Sequence, residues 1–190
     1  MHAAVEITVD ASNLICAVNT AWHRFARENG CEHLTDEAVV GRCLFDYIEG
    51  GATRIFVETM LHAVRHSQTP LVCAYRCDSP DLRRDMEMTL YPPVSGLLRM
   101  QHRLVRERPL ITPVVFNRVP ENRYACAEQV KRCSHCNALR VRWSWHDVEQ
   151  LEELGLRSGE NPLDVYYGVC DRCHDELASK IEMLGQLCVG

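Results

Sequence analysis

Cysteines at 133 and 136, and again at 170 and 173, form two C-x-x-C pairs in the last third of a 190-residue chain. A C-x-x-C turn aims two thiolates at one point, because the intervening pair of residues lets the backbone curl around an ion, and two such turns complete a tetrahedral shell. With eleven cysteines, about 0.6 accidental pairs at this spacing is expected, so one pair carries little weight and two carry more. Ser134, His135 and Asn137 at the first pair and Gly168 before the second suit tight turns. The spacing therefore predicts a structural Zn2+ held by Cys133, Cys136, Cys170 and Cys173. Four thiolates leave no open position for water, so such an ion organises a fold rather than activating a nucleophile. A structural zinc contributes roughly 10 to 16 kcal/mol in small modules, enough to fold a segment too short to bury a sufficient core. The interval between the pairs, residues 137–169, is longer than in a simple zinc ribbon and must carry structure of its own. His135 and His174 could replace a cysteine, but with four thiols present they read as turn residues.

The remaining cysteines, Cys16, Cys31, Cys43, Cys73, Cys77, Cys126 and Cys188, have no second metal spacing. An odd total, no export-type leader and ample length for a core point to reduced thiols and a cytoplasmic protein. No apolar run approaches the roughly 18 residues of a membrane span. The net charge is -5, with 10 basic against 13 acidic residues up to Val105 and 11 against 13 after it. Neither part has the basic excess that phosphate neutralisation requires.

The first hundred residues alternate in a definite order. "VEITVD" and "NLICAVN" read as two strands joined by a tight turn. A helix follows, capped by Asn19 or Thr20, with Trp22, Phe25 and Ala26 on one side and Gly30 as its stop. A short helical piece lies in "VVGRCLFDYIEGG", and "ATRIFVETMLHAVRHSQ" is a longer helix with Phe56, Met60, Ala63 and Val64 on its apolar arc. "PLVCAYRC", "RRDMEMTLYP" and "GLLRMQHRLV" are strands separated by "DSPD" and "PPVSG". Alternation puts Met86, Met88, Leu90, Leu98, Met100, His102 and Leu104 on one face. The expected fold class is α+β: an antiparallel five-stranded sheet with helices on one face, plus a small four-cysteine module.

This order, with the phrases "VNTAWHRFARENG", "VVGRCLFDYI" and "YRCDSPDLRRDMEMTLYP", resembles a bacterial subgroup of PAS domains over residues 4–106. The resemblance implies a domain that senses, binds a small molecule or dimerises, without naming the ligand. "CSHCNALRVRWSW" and "YYGVCDRC" resemble the short cysteine module that follows PAS or GAF domains in bacterial signalling proteins. Tyr167 stands where that module commonly has His. The expected layout is a sensory domain over 1–106, a partly helical linker over 107–130, and a zinc module with a C-terminal helix over 131–190. Within the linker a helix is expected from Pro120 with Tyr124, Ala127 and Val130 along one side, and within the module a helix over "WHDVEQLEEL" with Val148, Leu151 and Leu154 facing a core.

The ligand-binding residues of the first domain are not fixed by the sequence; His102, Met88 and Met100 are candidates, and a core histidine and core methionines, the favoured reading, would produce the same pattern. His62 and His66, placed where some haem-binding PAS domains keep their iron ligand, fall on or near the polar side of the long helix, which argues against a buried haem. The last helix has Leu177, Ile181, Leu184 and Leu187 on one stripe, to pack on its own module or on another chain. No phosphate-binding loop, H-E-x-x-H or G-x-S-x-G occurs. The expected function is a non-catalytic signalling protein in which the first domain senses a ligand or mediates homodimerisation and the zinc module contacts a protein partner. Two alternatives remain: nucleic-acid binding through Lys131, Arg132, Arg140 and Arg142, and a thiol redox switch.

Overall fold

The computed structural model describes residues 3–120, 130–156 and 162–187. Strands β1 (Val5–Val9) and β2 (Ile15–Val18) form a hairpin, and helix α1 (Thr20–Glu28) follows. Asn19 fixes that helix start: its side chain accepts from the Trp22 N–H at 3.0 Å and from the Glu6 N–H at 3.2 Å, and donates to the Ala4 carbonyl at 2.8 Å. One residue thus caps α1 and ties it to β1. Replacing Asn19 by Ala should lower the unfolding free energy by about 1 to 2 kcal/mol, read as a shift in the urea midpoint with an unchanged slope.

The short helix α2 (Asp36–Val39) and a 3-10 turn at Leu44–Tyr47 lead to α3 (Gly51–Ser67), which buries Phe56, Met60, Leu61 and Val64. Leu61, fully buried, widens the arc expected from periodicity. Strands β3 (Leu71–Arg76), β4 (Leu82–Val94) and β5 (Leu97–Pro109) complete an antiparallel sheet in the order β2-β1-β5-β4-β3. The predicted alternation holds: Met86, Met88, Leu90, Leu98 and Met100 are buried, and Met88 lies opposite His102. This is the five-stranded antiparallel arrangement under helices that the resemblance to PAS domains implies.

A second sheet, in the order β6-β10-β7-β8-β9, is built from β6 (Phe116–Arg118), β7 (Val130–Cys133), β8 (Leu139–Val141), β9 (Ser144–His146) and β10 (Leu163–Gly168). Helix α4 (Asp171–Leu187) follows it. The segment expected as a linker is thus partly structural. Its first residues finish β5, and β6 pairs in parallel with β10, so the second unit recruits chain from well before residue 131. Residues 121–129 of the helix expected from Pro120 lie outside the described residues, and Val130 belongs to β7.

The helix expected over "WHDVEQLEEL" is corrected. Trp145 is in β9, and only Val148–Gln150 form a 3-10 helix, with Asp147 and Gln150 in a capping box. Val148 and Leu151 are buried as expected, but turns follow and Gly155 takes a left-handed φ of 70°. A repeat of three residues is also the period of a 3-10 helix, where side chains at i and i+3 eclipse, so the spacing did not discriminate.

Buried side chains form two clusters, the larger of which draws on both units. Leu110, Val114, Val130, Leu139, Val148, Leu151 and Val165 form one cluster. Cys133, Val169, Cys170, Cys173, Leu177 and Leu184 instead join the larger cluster around Phe56, Met60, Leu90 and Leu98. Leu177, Ile181 and Leu184 of helix α4 therefore pack on the first unit, against α3. The outer edge of β3 is covered in the same way: the Arg76 N–H donates to the His135 carbonyl at 2.8 Å, and Lys180 Nζ donates to the Val72 carbonyl at 2.5 Å. An edge strand that would otherwise offer unpaired backbone groups is thereby occupied. No described helix is long and apolar enough to cross a membrane.

Candidate functional site

The four cysteines of the sequence pattern converge. Their Sγ atoms all lie within 4.8 Å of one another; Cys133 and Cys173 are 3.9 Å apart and Cys136 and Cys170 are 3.7 Å apart. None of them is in a disulfide. A tetrahedron of sulfurs at about 2.3 Å from a central ion has edges of about 3.8 Å, which these separations match.

Local chain geometry explains the convergence. Cys133 ends β7, the Cys133 N–H donates to the Ala138 carbonyl at 2.8 Å, and the Asn137 N–H returns to the Cys133 carbonyl at 2.9 Å. Asn137 closes the turn at φ 59°, a left-handed conformation that Asn tolerates better than most residues. The second pair sits at the β10–α4 junction, where the Cys170 N–H points at Cys133 Sγ at 3.4 Å. Cys133, Cys170 and Cys173 are buried and Cys136 is half-buried.

The electrostatics favour a cation. Hydrogen bonds from the Cys136 and Cys173 thiols pull Cys133 far below the ordinary thiol range. Burial pushes Cys170 up to about 11, and Cys173 is raised by the hydrogen bonds that its proton makes to Cys133 and Cys136. One negative charge is thus easy and further ones are opposed, a conflict that a soft dication at the centre would resolve.

Directly beneath the first cysteine pair lies an apolar chamber of about 280 Å3 between α3 and the sheet. Ile7, Ile15, Leu44, Phe56 and Met60 contribute walls, and all three residues singled out in the sequence, Met88, Met100 and His102, line it. The chamber also takes in Ser134 and His135, the two residues between the first pair of cysteines. Thr53 of α3 and Ser134 are 2.6 Å apart through their hydroxyl oxygens, and the Ser134 hydroxyl donates to the Gly168 carbonyl at 2.9 Å. His135 packs on Phe56 with ring centroids 5.0 Å apart, and His174 meets the same ring edge-on at 5.7 Å. Sequence reasoning missed Thr53, Tyr75, Ser134 and His135 as parts of this site; the last two reach it only through docking of the second unit.

The polar feature of the chamber is Tyr75, whose hydroxyl lies 2.9 Å from His102 Nδ1. Burial pushes Tyr75 up and pulls His102 down to about 4, so both groups are neutral near pH 7. The histidine has a consequence for stability. Its folded pKa lies below the ordinary 6.5, so the stabilisation is full above that value and is lost as pH falls towards 4. Between pH 7 and pH 5 this group should remove about 2 kcal/mol of unfolding free energy. Urea titrations of the parent chain and a His102→Gln variant should therefore diverge in pH slope over that window; equal slopes would contradict a buried neutral His102.

Other sequence candidates separate from the site. His62 and His66 stack on each other at 3.9 Å on the exposed face of α3 and do not line the chamber. Among the four basic residues considered for nucleic acid, Arg132 is buried, with its guanidinium 4.1 Å from the Phe116 ring and near Tyr167, so it is withdrawn from any surface patch. Cys73 is buried against Met60, with its Sγ 3.9 Å from the thioether sulfur.

A charged clamp joins the two units on the outer face of the sheet. Arg76 pairs with Asp78 and with Asp147, the latter at 2.8 Å; Arg83 reaches Asp147 at 3.2 Å and Glu149 at 3.4 Å; Arg108 grips Glu149 at 2.5 Å. Arg108 holds the Glu149 carboxyl well below the usual range. The capping turn at Asp147 is thereby fastened to β3, β4 and β5.

No family model matches the chain, and no curated protein does. Among solved structures it is similar to the PAS domain of the Cronobacter turicensis RpfR quorum-sensing receptor in complex with BDSF, at 12% identity over 54% of this chain and 94% of that one, with a TM-score of 0.43. It is also similar to the photoactive yellow protein domain of the sensor histidine kinase Ppr from Rhodospirillum centenum, at 17% identity over 53% and 90%, TM-score 0.41. A domain of an HTR-like protein from Haloarcula marismortui aligns at 14% identity over 54% and 98%, TM-score 0.41.

Proposed function

We propose that this chain is a non-catalytic signalling protein in which the five-stranded unit takes up a small molecule and the cysteine unit, folded around one Zn2+, presents a surface to a protein partner. The observation that carries this reading is the position of the first C-x-x-C loop, which lies across the edge of β3 and over the chamber. A change inside the sheet unit thus has a short mechanical route to the second unit. Four thiolates around zinc leave no coordination position for substrate, which supports a structural ion and a chain without hydrolytic chemistry. A cytoplasmic setting, where thiols stay reduced, suits such a centre.

Partner binding measured with the zinc-loaded full chain tests the reading. A Met88→Phe variant, which narrows the chamber with a rigid ring and keeps all four cysteines, is expected to alter partner affinity or its response to small molecules. Unchanged affinity in every condition would overturn the sensing role, and a folded chain purified without zinc would overturn the metal unit. A redox switch remains the second reading, favoured by four thiols that are not in disulfides. Reversible zinc release at mild peroxide with loss of the partner would select it.

A further inference from the structure

Resting on that reading, we infer that the first C-x-x-C loop is itself a wall of the binding chamber, so that the metal and an uncharged, largely apolar molecule bind this chain cooperatively. Ser134 and His135 are both the residues that the Cys133–Cys136 turn must hold in place around an ion and the residues that close the chamber beside Tyr75. They are also fixed from the chamber side. Because Ser134 gives its proton to the Gly168 carbonyl, Thr53 donates to Ser134 Oγ; separately, the Phe56 ring packs at a tilt against His135. The loop therefore has anchors on both sides: two thiolates facing the ion, and a hydroxyl pair and a ring contact facing the cavity.

The class of ligand follows from the lining. Among the described residues no Asp, Glu, Lys or Arg faces the chamber, and its Tyr75–His102 pair is neutral near pH 7. An ion entering would lose its hydration without a partner, so the occupant is neutral. A volume of about 280 Å3 admits a small ring system. One hydrogen-bonding group on an apolar body suits the Tyr75 hydroxyl and the His102 ring.

The sign of the coupling follows from ordering. When the ion fixes the loop, the wall is already formed, and a molecule entering the chamber no longer has to immobilise it. Reciprocity then requires that the molecule tighten the metal by the same factor.

The test uses 5-fluoroindole, a neutral apolar ring with one N–H, observed by fluorine NMR against the full chain in reducing buffer. The zinc-loaded chain is expected to bind it, and zinc removal to weaken binding by about tenfold or more. If the metal-free chain unfolds, hydrogen exchange on the zinc-loaded chain keeps the inference testable: saturating 5-fluoroindole should slow the amides of Cys133, Ser134 and Asn137, whose N–H groups are bonded within or beside the loop. The Met88→Phe variant should retain zinc and lose both the binding and the protection. Equal affinity with and without zinc, or unchanged loop exchange at saturation, overturns the coupling and leaves the sensor reading standing. No binding to the zinc-loaded chain, or full binding to Met88→Phe, overturns the chamber assignment. Absence of zinc from the folded chain strikes the proposed function itself, which separates the two failures.

Discussion

Replacing Cys133 by serine is expected to release the proposed Zn2+ and unfold the second sheet together with the docking of α4. Cys133 is fully buried, receives the Cys170 N–H and stands 3.9 Å from Cys173, so its loss removes a ligand and opens the junction of β7, β10 and α4 together. The binding of a structural zinc is worth roughly 10 to 16 kcal/mol in small modules, comparable with the whole stability of a typical domain. The second unit has few residues of its own to set against that loss, since Val130, Leu139, Val148, Leu151 and Val165 make up most of its separate core. The first sheet keeps Val9, Leu90 and Leu98, each fully buried. Amide NMR spectra should therefore show residues 130–156 and 162–187 collapsing to random-coil positions while β1–β5 remain dispersed. A variant whose second-unit signals stay dispersed would mean that packing alone holds the unit.

Arg76→Met should carry the next largest effect, about 3 to 5 kcal/mol of lost unfolding free energy. Arg76 and Asp78 have side chains only 8% and 4% exposed, and Arg76 also pairs with Asp147 on the second unit. Methionine fills much of the space but leaves Asp78 buried without its guanidinium, keeping only the Arg84 N–H at 3.1 Å. The cost comes from that stranded carboxylate more than from the lost attraction. Hence an Arg76→Met/Asp78→Leu double variant should recover part of the stability in urea titrations, and a double variant as unstable as the sum of the two single changes would refute this account.

Much of this was legible in the chain because it is local. Alternation located the buried face of β4 and β5, Asn19 announced the start of α1, and C-x-x-C spacing named four sulfurs that do converge. What escaped depends on contacts between distant segments. The bond between Thr53 and Ser134 spans 81 positions and that between Arg76 and Asp147 spans 71, and neither residue type announces such a partner. Ser134 and His135 read as turn residues, which they are, and their second role as chamber wall arises only because β3 has a free edge for the loop to cover. The segment after β9 carries a helical signal in the sequence because Val148, Leu151 and Leu154 recur at an interval of three, which a 3-10 turn satisfies as well as an α-helix. The stripe on α4 was seen, but its destination on α3 was not, because an apolar stripe specifies burial without specifying against what.

The central claim is that one ion, bound by four thiolates, holds the second unit in register over the first. Zinc K-edge X-ray absorption on the freshly purified full chain tests it most directly. The account predicts a single shell of four sulfurs at about 2.3 Å and one zinc per chain. A shell containing nitrogen or oxygen ligands, or a folded chain carrying no zinc, would contradict it.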